Sequence, residues 1–362
     1  MKLTQTALNR ATLDRQLLLR RAKISPLDAV DQLAGLQAQA PFPPYFGLWA
    51  RLDGFRPEQL SQLILDREVV RIVLMRGTVH LVTAADALAW RPLVQPIMTR
   101  DLSANPQHTP HLEGLDVEEV AATARKLLDE RHHTNKELGA ALGERWPDRA
   151  TSALAHVARG LLPLVQVPPR GIWGKSGQPA YATAETWLGR PLSEPNPDNM
   201  VLRYLKAFGP ASVRDAQAWT GLTRLGEVFE RLRPTLKAFQ DENGRELFDL
   251  PDAPRPDPET PAPTRLLGPF DQMLLSYADR TRVLDDVHRK LVVTNNGLVK
   301  GTVLLDGRIR GQWDITRKRD TATLVVTQFE PFTKKNTAAV TDSAADLLTF
   351  AEPGATYDIR FT

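Results

Sequence analysis

Cysteine is absent from the whole chain of 362 residues. Its absence excludes disulfide bonds, thiolate nucleophiles, cysteine-based zinc sites and iron–sulfur clusters. Histidine is sparse as well: seven histidines are scattered along the chain, and only His132 and His133 are adjacent. Because adjacent residues project in different directions on a helix, this pair does not form a metal site there. We therefore expect a protein without a bound metal.

Long apolar runs are also missing. No run is long enough to cross a membrane, and the first residues, MKLTQTALNRATLDRQLLLRR, are too polar for a signal peptide. We expect a cytoplasmic protein that does not bind membranes. A glycine-rich phosphate loop following a strand is lacking too, so the chain shows no sequence signature of a nucleotide cofactor.

The chain has no large excess of one charge, because its formal net charge is only +3. Positive residues do form local clusters. Each cluster alone is typical of a solvated surface, whereas together they permit a nucleic-acid footprint. The clusters are Arg20, Arg21 and Lys23; Arg308 and Arg310; Arg317, Lys318 and Arg319; and Lys334 with Lys335.

What the chain does contain is enough apolar material for more than one packed unit. Hydrophobic residues make up 42% and charged residues 25%, the proportions of a soluble globular protein. Two proline-rich joints, 189–199 and 251–264, and a polar stretch at 103–114 divide the chain. The predicted units are 1–102, 103–189, 190–252 and 264–362.

The first three units share one plan. Each opens with an amphipathic helix, continues with a Ser or Thr helix cap and an acid three residues later, and ends in a β-prone run. Helix, helix, turn, helix and hairpin is the winged-helix order, and its recurrence predicts three tandem winged-helix units. The cap pairs are Ser25 with Asp28, Thr134 with Glu137, and Ser212 with Asp215.

The last unit reads differently. Its β-prone runs are separated by the turns Asn296–Gly297 and Asp306–Gly307, which predict a small antiparallel sheet or partial barrel. A closing helix over 334–352 is expected to pack on it. The predicted fold class is thus mainly α with β (α+β).

The stretch GLQAQAPFPP, residues 35–44, stands out because it places two glutamines two positions apart before three prolines. Pro41 pushes Ala40 out of the helical region, so the segment is predicted to leave its helix. On an extended chain, Gln37 and Gln39 then project from the same side.

Two carboxamides can hold a water from two directions, but they are too weak as bases to deprotonate it. They suit a reaction whose leaving group is already good, such as loss of a cationic alkylated purine from deoxyribose, in which water needs positioning more than activation. The alternative is an ordinary polar surface, since Gln and Ala are also good helix formers.

Three stretches and the order of the units resemble the AlkZ-like bacterial DNA glycosylases. This resemblance implies a C-shaped scaffold with a basic channel for duplex DNA, and a β-hairpin that approaches the lesion. It implies monofunctional excision of N7-alkylguanine-type lesions, bulky or crosslinked, without a cofactor, by a monomer, and in some members self-resistance to a DNA-alkylating natural product. Gln37 and Gln39 match the family's catalytic Gln–aliphatic–Gln signature. The stretches are LAGLQAQAP, RGTVHLVTAADA and RLLGPFDQMLLSYADR.

Cations on turns are the candidate DNA contacts. The turn at Asp306–Gly307, with Arg308 and Arg310, is the first candidate for the lesion-approaching hairpin. The stretch PPRGIWGKSG is the second. All of these positions also fit ordinary hairpins with solvated cations. The remaining candidate contacts are Arg170, Lys175 and, in the first wing, Arg76.

Two non-catalytic interpretations compete with the glycosylase. A winged-helix transcriptional regulator would dimerise on palindromic DNA and would not depend on the glutamines, but the sequence has no heptad dimerisation helix. A protein-interaction scaffold would not lose DNA affinity steeply with salt.

Overall fold

The computed structural model describes residues 1–294 and 297–362. Within them, helices alternate with short strands, which confirms the mainly α with β class. The helices are α1 Gln5–Arg15, α2 Pro26–Gln32, α3 Pro43–Arg51, α4 Pro57–Leu65, α5 Ala84–Trp90, α6 Gln95–Ala104, α7 Val117–Glu130, α8 Asn135–Gly143, α9 Thr151–Leu161, α10 Ala184–Leu188, α11 Pro197–Phe208, α12 Val213–Thr220, α13 Leu225–Leu232, α14 Arg289–Val292 and α15 Lys334–Ala351. The strands are β1 Lys2–Leu3, β2 Leu36–Gln37, β3 Val69–Val73, β4 Val79–Thr83, β5 His133–Thr134, β6 Leu164–Val167, β7 Ala180–Thr183, β8 Lys237–Asp241, β9 Glu246–Asp249, β10 Arg265–Leu267, β11 Gly301–Leu305, β12 Arg308–Lys318, β13 Thr321–Gln328 and β14 Thr356–Phe361.

The three predicted helix caps are confirmed. The hydroxyls of Ser25, Thr134 and Ser212 each accept the backbone N–H three residues on, at the starts of α2, α8 and α12. At Thr134 and Ser212 the acid side chain also accepts the cap residue's own N–H, which completes a capping box. Because each cap satisfies N–H groups that the helix leaves free, the sequence sets these helix starts locally.

Helices followed by a hairpin recur as expected: α7–α9 precede β6–β7, and α11–α13 precede β8–β9. The first block has an extra helix, α3, before the β3–β4 hairpin. The hairpins of the first two blocks do not stand apart, because β3 pairs with β6 in a six-stranded sheet ordered β2-β4-β3-β6-β7-β5. The unit boundaries stay predictions.

The C-terminal sheet is ordered β10-β11-β12-β13-β14. Four strands are antiparallel as expected, but β14 runs parallel to β13. The expectation of a purely antiparallel sheet is wrong here because α15 lies between these strands and carries the chain back to the same end. The predicted turn at Asp306–Gly307 is present, with φ of 44° and 78°, whereas the one at Asn296–Gly297 lies outside the described residues.

One hydrophobic core joins the first block to the C-terminal sheet. Leu48 and Trp49 of α3 share it with Leu267 of β10 and Leu348 of α15. The segment that carries the two glutamines leads directly into α3, so this packing fixes one end of the segment. Across the described residues, no helix has the length and apolar content needed to span a membrane.

Candidate active site

Gly35 turns the chain sharply between α2 and the glutamines. Its φ is +84°, in the left-handed region that favours glycine, and Ala34 before it has a φ of 55°. A Cβ on Gly35 would lie 2.5 Å from Cγ1 of Val82 and 3.0 Å from the carbonyl oxygen of Leu81. Glycine therefore serves two needs here, the turn and the close approach to β4.

The segment leaves its helix, as the prolines predicted: Gln37 lies on the extended chain of β2, and Gln39 lies in a bend just beyond it. Gln37 pairs with His80 across β2 and β4, and the N–H of Ala38 continues this pairing by donating to the carbonyl of Val79 at 2.8 Å. Both side chains contact the β3–β4 hairpin, Gln37 through Arg76 and Gln39 through Val79.

Gln37 is held by a single charged donor. Its side chain is only 7% exposed, and its Oε1 accepts a hydrogen bond from Nη2 of Arg76 at 2.8 Å. Because a donor faces the oxygen, the orientation of the amide is determined. Its Nε2 makes no hydrogen bond with any described residue, and it is not sealed from solvent.

Gln39 is exposed, and its oxygen is also held. The backbone N–H of Val79 donates to Oε1 of Gln39 at 3.0 Å, so the side chain takes the place of a strand carbonyl. Both glutamines therefore use one oxygen lone pair internally. Each keeps a second lone pair and an NH₂ group for a ligand.

Arg76 is half-buried. In the turn Met75–Gly77 it adopts a φ of 57°, and its Nη1 donates to the carbonyl of Trp219 at 2.5 Å. That carbonyl lies at the C-terminal end of α12, where the helix dipole favours a cation. Burial and then the Arg280 guanidinium lower the pKa of Arg76 to about 10, so it stays charged at neutral pH. Arg76 thus joins Gln37 to the third block.

His80 is neutral near pH 7. Its ring is 2% exposed. Nδ1 lies 2.9 Å from the carbonyl of Thr78 and must donate to it, which leaves Nε2 as the acceptor facing Arg76. Burial and Arg76 lower the pKa of His80 to about 3. Since both ring nitrogens are engaged, His80 supports the site but does not transfer protons.

Arg71 is a site residue that the sequence reasoning missed. It is 1% exposed, and its Nη2 donates to the carbonyl of Ala38 at 2.9 Å, between the two glutamines. A further bond reaches Oε1 of Gln166, and no carboxylate among the described residues pairs with it. Burial lowers the pKa of Arg71 to about 10, with Arg170 adding to the effect. The available signal was an arginine inside the apolar strand VVRIV.

Comparison of the sequence with models of known protein families identifies the family. The model described as DNA glycosylase AlkZ-like matches residues 30–350, a span that includes both glutamines. The chain belongs to this family. It is accordingly a DNA glycosylase, an enzyme, which sets aside the regulator and the protein scaffold.

Two relatives of this AlkZ-like glycosylase are similar to it over most or all of the chain. The "Interstrand DNA cross-link repair glycosylase" of Streptomyces sahachiroi is 28% identical over 355 residues, which cover 92% of each chain. The solved structure of "Streptomyces sahachiroi DNA glycosylase AlkZ" matches 100% of both chains with a TM-score of 0.82 at 24% identity. This second likeness shows a shared fold over the full length.

In this chain, the turn at Asp306–Gly307, the first candidate for the lesion-approaching hairpin, is held at its tip by contacts with α1. Nδ2 of Asn9 donates to the carbonyl of Gly307 at 2.7 Å, and Arg10 pairs with Asp306 at 2.7 Å. Arg308 and Arg310 both pair with Asp285. A tip docked on α1 does not suit a hairpin that approaches a lesion, so the structure argues against this expectation.

In the second candidate, the loop PPRGIWGKSG, Arg170 is hydrogen-bonded within the loop and Lys175 is exposed. Nη1 of Arg170 donates to the carbonyl of Gly177 at 2.8 Å, and Trp173 packs on Phe42 with ring centroids 5.3 Å apart. Lys175 is exposed and has no ion-pair partner within the described residues. This loop lies beside the site, because a Cβ on Gly171 would be 2.6 Å from Cδ of Arg71.

A third hairpin, β12–β13, has an exposed basic end. Its turn follows Lys318, and Arg319 there has a φ of 54°. Arg317 pairs with Glu352, while Lys318 and Arg319 have no ion-pair partner in the part of the chain that the structure describes. The sequence showed this cluster of cations but did not place it on a hairpin.

Proposed function

We propose that this glycosylase hydrolyses the N-glycosidic bond of N7-alkylguanine-type lesions in duplex DNA. Gln37 and Gln39 position the water at the anomeric carbon. The observation that carries this is the pair of carboxamides on one short segment, each with its oxygen anchored to the β3–β4 hairpin and its NH₂ group without a hydrogen-bond partner among the described residues. The products are a free modified base and an abasic site.

The chemistry of the site suits a cationic leaving group. Arg76 and a backbone N–H are the hydrogen-bond partners of the glutamines, and neither is a base. His80 is neutral and fully engaged. A site of this kind orients water and stabilises charge by fixed dipoles, which is sufficient when the departing base already carries positive charge.

The proposed lesions include bulky and crosslinked purines. The name of the Streptomyces sahachiroi relative, a cross-link repair glycosylase, supports this extension. We assign the approach to the lesion to the β12–β13 hairpin because its basic end is exposed. The enzyme acts as a cytoplasmic monomer, without a cofactor, and serves self-resistance to a DNA-alkylating natural product.

A single-turnover assay on duplex DNA with one 7-methylguanine tests this proposal. Gln37→Ala and Gln39→Ala should each slow base release by about 10²-fold or more, a reduction of the size seen when one oriented polar group is removed from an active site. DNA affinity should stay near that of the wild type. The matched control is Gln62→Ala, a surface glutamine on α4 whose side chain bonds Asp66 and no other described residue.

Two results would refute the mechanism. Unchanged release in both active-site variants would move catalysis away from the glutamines. Strand cleavage with a borohydride-trapped lysine adduct would indicate a lyase route in place of hydrolysis by water.

A further inference from the structure

An open cavity of about 300 Å³ lies between α12 and the segment that precedes α14. Its lining includes four arginines and two aspartates, which leaves it with a net positive charge. These residues are Arg214, Arg245, Arg280, Arg289, Asp279 and Asp286.

The arginines of this cavity differ in whether a carboxylate of the described residues pairs with them. Arg245 is satisfied, because it pairs with both Asp241 and Asp279. Arg214, Arg280 and Arg289, in contrast, form no ion pair with any residue that the structure describes. Arginines without a carboxylate partner that converge on one cavity favour an anion from outside the protein.

The cations are close enough to affect one another. Burial and then the Arg289 guanidinium lower the pKa of Arg280. Arg280 in turn lowers the pKa of Arg76, the residue that holds Gln37. Repulsion between positive charges thus links the arginines of the cavity to Arg76, and an anion in the cavity would relieve it.

We propose that Arg214, Arg280 and Arg289 bind one phosphodiester of the DNA backbone beside the damaged nucleotide. The position of this phosphate relative to the damaged nucleotide rests on the proposed function. The planar guanidinium donates two parallel hydrogen bonds to phosphate oxygens, and an open cavity admits a continuous backbone. The contact places the strand relative to the glutamines, since phosphate contacts set register and not sequence preference.

Methylphosphonate scanning tests the position of the contact. A duplex with a tetrahydrofuran abasic site supplies a fixed register, and each flanking phosphate is neutralised in turn. We expect one position to weaken wild-type binding about tenfold, the size expected when one charged hydrogen bond is removed. In Arg280→Gln and in the exposed pair Arg214→Ala/Arg289→Ala, that position should weaken binding by clearly less than about tenfold, because part of the contact is already gone.

The control is Arg190→Ala, another exposed arginine without an ion pair among the described residues. It should keep the tenfold effect. On undamaged duplex, the two cavity variants should reduce the slope of log K against log salt by roughly 0.9 for each phosphate that the protein no longer neutralises. Inorganic phosphate, titrated at constant ionic strength, distinguishes a backbone site from a free-phosphate site.

The outcomes separate this proposal from the catalytic one. An unchanged salt slope, a tenfold effect that persists in both cavity variants, or phosphate binding without positional coupling would each overturn the phosphodiester site. Base release that depends on Gln37 and Gln39 would still stand in those cases. If no base is released from any substrate, the salt slope still decides whether the cavity binds DNA.

Discussion

At the scale of single residues, the site is built from groups that cannot move a proton near neutral pH. Gln37 and Gln39 are neutral amides, His80 is neutral, and Arg76 and Arg71 remain cationic. The role of the arginines is to hold the segment: one fixes the amide of Gln37, and the other the carbonyl of Ala38.

Arg76→Met should slow base release by about tenfold or more. The methionine keeps most of the apolar bulk, but Gln37 loses the donor that fixes its oxygen, and the carbonyl of Trp219 loses its partner. Stability should fall by about 1–3 kcal/mol, the cost of leaving buried polar groups unpaired. Single-turnover release and urea unfolding measure the two effects.

The control for Arg76 is Lys175→Met, which removes an exposed cation next to the site. It should change only DNA affinity. A normal rate in Arg76→Met would mean that Gln37 needs no fixed orientation.

Acidification should destabilise the protein through His80. Its pKa is about 6.5 in the unfolded chain and about 3 in the folded protein, so the unfolded state binds the proton first. The contribution of neutral His80 is complete above pH 6.5. It should fall by up to about 1.4 kcal/mol per pH unit as the pH drops towards 3.

Urea unfolding of the wild type and of His80→Gln at several pH values checks this prediction. The difference in unfolding free energy between the two proteins should shrink as the pH falls below 6.5. A difference that is constant from pH 7 to pH 5 would contradict the assigned protonation state.

At the scale of elements, the decisive piece is a two-residue strand. β2 is too short to be stable alone, and it is held by β4 on one side and by the glycine turn and α3 at its ends. The pairing register of β2 with β4 is fixed because the turn at Gly35 determines where β2 begins.

Gly35→Ala should destabilise the protein by about 2–4 kcal/mol and slow base release. The new methyl group meets both a left-handed φ, which costs roughly 1–2 kcal/mol, and a clash with Val82, which adds overpacking strain of a similar size. β2 then shifts and takes the glutamines with it. Urea unfolding and single-turnover release measure both effects.

Gly54→Ala is the matched control for Gly35→Ala. Gly54 has a φ of +63° but nothing within 4 Å of an added Cβ, so it carries only the conformational cost. Equal effects of the two substitutions on base release would show that the contact with Val82 does not position β2.

At the scale of the whole molecule, distant parts of the chain meet around the site. Arg51 at the end of α3 forms a buried ion pair with Asp271, at 2.7 Å and 2.9 Å, across 220 residues of sequence. The third block reaches the site through the carbonyl of Trp219. The site is therefore assembled from the first block, from the second through Gln166, which bonds Arg71, and from the third through Trp219.

Arg51→Met should destabilise the protein by about 3–5 kcal/mol, because it leaves the buried carboxylate of Asp271 without its partner. Denaturant unfolding measures the decrease. Arg360→Met, which breaks an exposed pair with Asp358, should cost at most about 1 kcal/mol. Similar decreases in the two variants would mean that the carboxylate of Asp271 gains access to solvent when it loses Arg51.

The sequence by itself determined the local features. The caps at Ser25, Thr134 and Ser212 and the extended chain at Gln37 depend on neighbours within a few residues, and therefore they are readable from the sequence. The same holds for the Asp306–Gly307 turn and for the family motifs.

Only the tertiary structure decided which groups meet. Arg76 and Arg71 bind at the glutamines, the Asp306–Gly307 tip docks on α1, and β14 lies parallel to β13. These outcomes depend on contacts between residues far apart in the chain. Burial then sets the charges, since a histidine is half protonated near pH 6.5 in water but His80 stays neutral when it is buried beside the cation of Arg76.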